Sequence, residues 1–193
     1  MLSKENILAF ASNLFWRYGP KKTTMDDVAR TCRIGKATLY KFFKNKDELY
    51  KEILRDEMNK IFCEIESRLK DLKGVREKLR MLFETEYFFF KGNINLSEVL
   101  VGTVEDYDRD IKSITDEFYD RQRKLIKSIL HEGVLKKEII VEDVSLLSLA
   151  MMAAGQGLFG YFKHLSDERK AIKSIRYLID TLFFGIEAGK GSI

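Results

Sequence analysis

Seven residues between positions 24 and 46 form a set suited to a grooved polyanion: Thr24, Lys36, Ala37, Thr38, Tyr40, Lys41 and Lys46. The lysine ammoniums and the tyrosine hydroxyl can donate to anionic oxygens on either side of a groove. The Thr38 hydroxyl can bond to a base edge or to a phosphate. Ala37 and Thr38 are small enough to enter a major groove about 12 Å wide, where a thymine methyl can pack on either. Thr24, at a helix start, adds its own hydroxyl and nearby backbone N–H groups.

These side chains act together only if short helices hold them. Ser3 can cap a first helix whose stripe Ile7, Phe10, Ala11, Leu14 and Phe15 repeats with helical spacing, and Gly19 and Pro20 end it. Thr24 opens a second helix, with Asp27 in an imperfect capping box and Val28, Ala29 and Cys32 on the apolar side. Arg33, Ile34 and Gly35 interrupt it after about two turns. A third short helix follows over 36–43. Leu39 and Phe43 face inward with Ile34, leaving Lys36, Ala37, Thr38, Tyr40 and Lys41 on the other side. Lys44 reads equally well as a phosphate contact or as solvated.

Asn45, with Glu48 three residues on, caps a long helix striped by Leu49, Ile53, Ile61, Ile65 and Leu69, which leads into a second part of the chain. Further helices are expected near 75–91, 96–105, 109–132, 143–164 and 167–188. The chain has 193 residues and one proline, so helices can follow one another without a forced break; the fold class expected is all-α.

Charge is unevenly placed. Residues 1–50 carry ten Lys/Arg against five Asp/Glu, whereas the remainder is close to neutral. A basic head on a neutral body suits a polyanion partner. Cys32 and Cys63 make neither a disulfide framework nor a zinc site, and His131 and His164 complete no metal motif. No metal and no cofactor are expected. The start of the chain does not read as a signal peptide, so a cytoplasmic location is expected.

The stretch from Ile7 to Leu49 resembles the DNA-binding head of the tetracycline-repressor (TetR/AcrR) family. The resemblance rests on Ile7 to Tyr18-Gly19, Thr24, Val28-Ala29, Ile34, Lys36, Thr38-Leu39-Tyr40, Phe43, Lys46 and Leu49. It implies a three-helix helix-turn-helix head over 1–48 and a larger helical domain over 49–193 that dimerises and binds a small effector. It implies too that the last two long helices pair with their copies in a homodimer. Two heads must reach successive major grooves about 34 Å apart. The function expected is a transcriptional regulator, a repressor released from a two-fold symmetric operator by a small apolar or amphipathic effector.

This chain departs from the family in the turn, with Arg33 where glycine is usual and Gly35 where serine is common. Ala37 also stands for a frequent glycine, and Phe42 for a tyrosine or histidine. If Arg33 takes a positive φ it costs on the order of 1 kcal/mol. Gly35 is then expected to take up part of the bend.

In the second part, Phe62, Phe83, Tyr87, Phe90, Tyr107, Phe118 and Met151 could line an effector cavity, although ordinary core accounts for each as well. Glu84 or Glu86 could make such a cavity favour a cation. Residues 144–162 carry no charge, yet Ser145, Ser148, Gln156 and three glycines argue against a membrane span. Gly155 to Gly160 matches a dinucleotide fingerprint without the preceding strand that gives the match meaning. The last helix is striped by Ile172, Ile175, Ile179, Leu182, Phe183 and Ile186. No nucleophile–base set or phosphate loop points to an enzyme. The competing reading is a helical docking or ligand-binding module without DNA affinity, which would lack a salt-dependent affinity for DNA.

Overall fold

Caps and apolar stripes fix where each helix begins and what it buries. The computed structural model describes residues 3–92, 109–162 and 167–187; the helix expected near 96–105, Tyr107 and His164 lie outside them. Among the described residues there are eight helices and no strand. They are α1 (Lys4–Tyr18), α2 (Met25–Thr31), α3 (Lys36–Phe42), α4 (Lys46–Leu69), α5 (Val75–Gly92), α6 (Arg109–Leu135), α7 (Val144–Phe162) and α8 (Glu168–Glu187). The protein is all-α.

The chain divides into two compact units, one of Met1–Lys60 with Asn93–Thr115 and one of Ile61–Gly92 with Asp116–Ile193. In the first, Ile7, Leu8, Ala11 and Phe15 of α1, Val28 and Ala29 of α2, Leu39 of α3, Phe43 and the α4 residues Leu49, Tyr50 and Ile53 are all buried. Phe15 stacks on Tyr50 with ring centroids 5.2 Å apart. Leu14 of the α1 stripe is only half-buried. The stripe departs from expectation at Phe10, which is 47% exposed while Leu8 is buried instead. Spacing alone puts both next to the Ile7–Ala11 line, so only the packing partner decides between them.

In the second unit α5 is buried on most of its faces, at Val75, Leu79, Met81, Leu82, Phe83, Thr85, Glu86, Tyr87 and Phe90. A Cβ added at Gly155 of α7 would lie 2.5 Å from the Phe83 ring, so the absent side chain at Gly155 leaves room for that ring. The Gly155–Gly160 run thus lies within a helix and does not form a phosphate loop. By length and composition α7 could cross a membrane, and it buries only Ser148, Met151, Gly155 and Phe162.

Candidate nucleic-acid interface

The turn between α2 and α3 sets the aim of α3. Thr24 and Asp27 form a complete capping box. The Asp27 N–H donates to Thr24 Oγ1 at 3.2 Å, and the Thr24 N–H donates to Asp27 Oδ2 at 3.1 Å. The Thr24 hydroxyl, which also donates to Asp27, holds that carboxyl below the usual carboxylate range. At the other end of α2 the Ile34 N–H donates to the Ala29 carbonyl at 3.0 Å and the Arg33 N–H to that of Arg30 at 3.1 Å. This is a Schellman cap, and Arg33 fills its left-handed position at φ 54°. The bend belongs to Arg33 alone. Gly35 has φ −68° and ψ 145°, ordinary extended backbone, so the expectation that it shares the bend is corrected. Gly35 starts α3 by accepting through its carbonyl from the N–H groups of Thr38 and Leu39, and no side chain caps that end.

Helix α3 then divides cleanly. Leu39 is fully buried and Phe43, just past the helix, is 1% exposed, with Lys4 Nζ 5.5 Å from its ring. Lys36, Ala37, Thr38, Tyr40 and Lys41 are all exposed, as is Phe42. Lys36 lies 2.8 Å from Asp26, and that carboxylate pushes its pKa upward, keeping it cationic. Thr24 is exposed at the start of α2. Lys46 is half-buried, and its ammonium donates to the Pro20 carbonyl at 2.9 Å, tying the start of α4 to the end of α1. Asn45 caps α4 through the Glu48 N–H at 2.8 Å, while the Glu48 carboxylate reaches one residue further back, to the Lys44 N–H at 2.6 Å.

Two cations went unnoticed in the sequence. Lys22 and Arg30 line a cleft of about 360 Å³ with Leu14, Tyr18, Thr23, Asp27 and Thr31, beside the start of α2. Their signal was the local excess of basic residues, which gives no position. Arrayed this way, the first unit offers an exposed helix face of small and hydroxyl side chains, flanked by ammoniums and a helix start. Such a surface fits a groove and its phosphates.

The aromatic set of the second unit is drawn together in part. Phe62 and Phe118 have ring centroids 5.1 Å apart, Phe118 and Phe90 5.9 Å, and Phe90 and Phe159 5.7 Å. Tyr87 meets Phe162 edge-on at 6.3 Å. Phe83 lies against Gly155, and Met151 is buried. Of the two candidate carboxylates, Glu84 pairs with Arg176 at 2.6 Å near the surface, whereas Glu86 is wholly buried. Among the described residues no group of His, Cys, Asp and Glu could hold a metal ion.

Residues 7–53 match the family model for bacterial regulatory proteins of the tetR family. The HTH-type transcriptional regulator YhgD of Bacillus subtilis is 52% identical over 50 residues, covering 26% of each chain. The HTH-type transcriptional repressor KstR2 of Mycolicibacterium smegmatis is 29% identical over 139 residues, 68% of this chain and 64% of that one. The chain thus spans between a quarter and just under two thirds of these relatives. In fold, the crystal structure of FadR from Bacillus subtilis in complex with stearoyl-CoA superposes with a TM-score of 0.75 at 18% identity, over 92% of this chain and 97% of that one. The capped α2, the turn at Arg33 and the exposed α3 all lie within residues 7–53, so this head is similar to that of the bacterial regulatory proteins of the tetR family.

Proposed function

We propose that the chain is a repressor which binds a two-fold symmetric operator as a homodimer and is released by a small apolar or amphipathic effector. Residues 1–48 serve as the DNA-binding domain and 49–193 as the effector-binding and dimerisation domain. The observation that carries this reading is the exposed Lys36–Thr38–Tyr40 face of α3, backed by a fully buried Leu39. A face of this composition has no packing duty. Lys36, Tyr40 and Lys41 reach phosphates, with Lys46 and Thr24 closing the contact at the helix starts, while Ala37 and Thr38 meet base edges.

The dimer reading is supported by α7 and α8. Leu146, Leu149 and Tyr161 of α7 are 64%, 47% and 62% exposed, and Tyr177 of α8 is 72% exposed. An uncharged helix with this much apolar surface in water favours a second copy over solvent. The effector reading is supported by the aromatic set Phe62, Phe83, Tyr87, Phe90, Phe118 and Met151, with KstR2 as the repressor precedent. A cytoplasmic location goes with the reading.

Selection from a random pool of duplexes tests the whole proposal. The expected result is a palindromic site whose half-sites lie about one helical turn apart. Its affinity should fall steeply with salt, with a log–log slope set by the number of phosphates neutralised. Binding that ignores salt, or an asymmetric single site bound by a monomer in sedimentation, would overturn it.

A further inference from the structure

In the second unit α5 and α6 run antiparallel, shown by paired positions along their length. The Val75 N–H donates to Glu138 at 3.1 Å, Lys78 meets Glu132 at 2.6 Å, Glu86 meets Gln122 at 2.7 Å, and Phe90 meets Phe118. Leu79 and Leu82 of α5 and Ile126, Ile129 and Leu130 of α6 are all buried, the aliphatic part of this pair. One turn on comes a polar layer of Glu86 and Gln122, 0% and 1% exposed. Another turn on, the aromatic layer of Phe90 and Phe118 is extended by Phe62 and Phe159.

The polar layer is only half satisfied. Gln122 Nε2 donates to Glu86 Oε2, but Glu86 Oε1 and Gln122 Oε1 have no hydrogen-bond partner among the described residues. With Glu86 ionised, two unmet oxygens on adjacent buried side chains are costly, and such groups call for a partner, either a proton on the carboxyl or a donor from a ligand. An aliphatic pair at these positions would pack without that cost.

We propose that the Glu86–Gln122 layer is the polar anchor of a small-molecule site, taking an organic cation that bears at least two N–H bonds, a primary ammonium or an amidinium, on an apolar body. The proposal rests on the second unit being the effector domain. The N–H groups supply donors to both unmet oxygens and the positive charge matches the carboxylate. The rings of Phe90 and Phe118 offer the apolar body a wall and the cation their faces. A quaternary ammonium has charge but no donor. An alcohol has one donor and no charge.

Proton balance follows. Burial pushes the Glu86 carboxyl up to about 8, and the bond from Gln122 pulls it slightly back. The titratable neighbour that feels its charge is Tyr119 of α6, itself pushed up chiefly by burial. Near neutrality the free protein holds Glu86 protonated. Binding the cation forms the ammonium–carboxylate contact and sends that proton to solvent.

The test is calorimetric titration of the full chain at pH 7 with three matched probes: phenylbutylamine, its trimethylammonium counterpart and phenylbutanol. The amine is expected to bind at least about tenfold more tightly than either other probe. Titrations in buffers of different ionisation enthalpy are expected to report release of nearly one proton. Glu86→Gln is expected to erase the amine's advantage while keeping the helical signal. Equal affinities for the three probes, no binding of the amine, no proton release, or an advantage that survives in Glu86→Gln would each overturn the proposal. If Glu86→Gln does not fold, the wild-type ranking and proton count decide by themselves. No DNA enters these titrations, so loss of operator binding would strike the regulator reading and leave the anchor standing. Release of DNA by the alcohol alone would do the reverse.

Discussion

Lys36, Thr38 and Tyr40 stand in water on α3, whereas Glu86 and Gln122 lie among apolar side chains between α5 and α6. An open polar face costs little to maintain, because water serves every group until a partner replaces it. Changing such a face should alter binding and leave stability alone. A buried polar layer has no such reserve, so changing it should alter stability first. The match to the tetR family model over residues 7–53 includes the first arrangement and stops short of the second.

The largest effect expected from this contrast is in the pH dependence of stability. The Glu86 carboxyl lies at about 8 in the folded chain against an ordinary 4.5, so between these values the folded state holds a proton that the unfolded chain has lost. The folded pKa is raised and the group is an acid. Its contribution is therefore greatest at low pH and declines as pH rises through that window, at about 1.4 kcal/mol for each pH unit. Denaturant unfolding at pH 5 and pH 8.5 should show the wild type losing on the order of several kcal/mol relative to Glu86→Gln. Parallel pH profiles would show that Glu86 is ionised throughout, and the contrast between the two regions would collapse.

The next largest effect belongs to the open face. Lys36→Ala combined with Tyr40→Ala should weaken operator binding about 100-fold at physiological salt and flatten the salt dependence by up to two phosphates. The melting temperature should move by no more than about 2 °C, since the Lys36–Asp26 pair is exposed and such pairs contribute little. Filter binding across a salt series and a thermal melt on the same sample check both halves. Thr24 sharpens the contrast because it is exposed and yet also holds a helix start through its capping bonds. Thr24→Ala breaks the capping box and should cost about 1 kcal/mol of stability along with some affinity.

Much of this was legible in the residues, for identifiable reasons. Caps are local, so Thr24 with Asp27 and Asn45 with Glu48 marked helix starts that the structure bears out. Leu39 and Phe43 were legible as inward because helical spacing leaves them no other side. Phe10 and Leu8 were not, because both flank the same stripe and only tertiary packing selects one. The Glu86–Gln122 layer was half legible. A carboxylate within an aromatic run was visible, but nothing local to Glu86 names a partner 36 residues away. Lys46 reads from the sequence only as a phosphate contact, and nothing local shows that the Pro20 carbonyl would accept from it.

The smallest effect tests how the head is aimed. Arg33 and Lys137 are the non-glycine residues with positive φ among the described residues, at 54° and 60°, and both follow a helix end. At each, the next residue's N–H reaches back five positions, Ile34 to Ala29 and Glu138 to Gly133. The two caps are thus the same motif, one in the DNA-binding turn and one at the end of α6. Glycine would relieve a left-handed cost of about 1 kcal/mol at either place. It would also loosen the unfolded chain, returning about half of that gain. Arg33→Gly and Lys137→Gly should therefore each raise stability by only about 0.5 kcal/mol, and Asn, which tolerates this conformation, should do likewise. Their effects on operator binding should differ. Lys137→Gly should leave it unchanged. Arg33→Gly removes a cation beside the interface and frees the backbone that aims α3, so affinity should fall a few-fold even as the head becomes more stable. Arg33→Asn separates the two causes, because it removes the charge while keeping the turn stiffer than glycine does. If Arg33→Asn binds as weakly as Arg33→Gly, charge is what this position supplies; if it binds as the wild type does, the stiffness of the turn is.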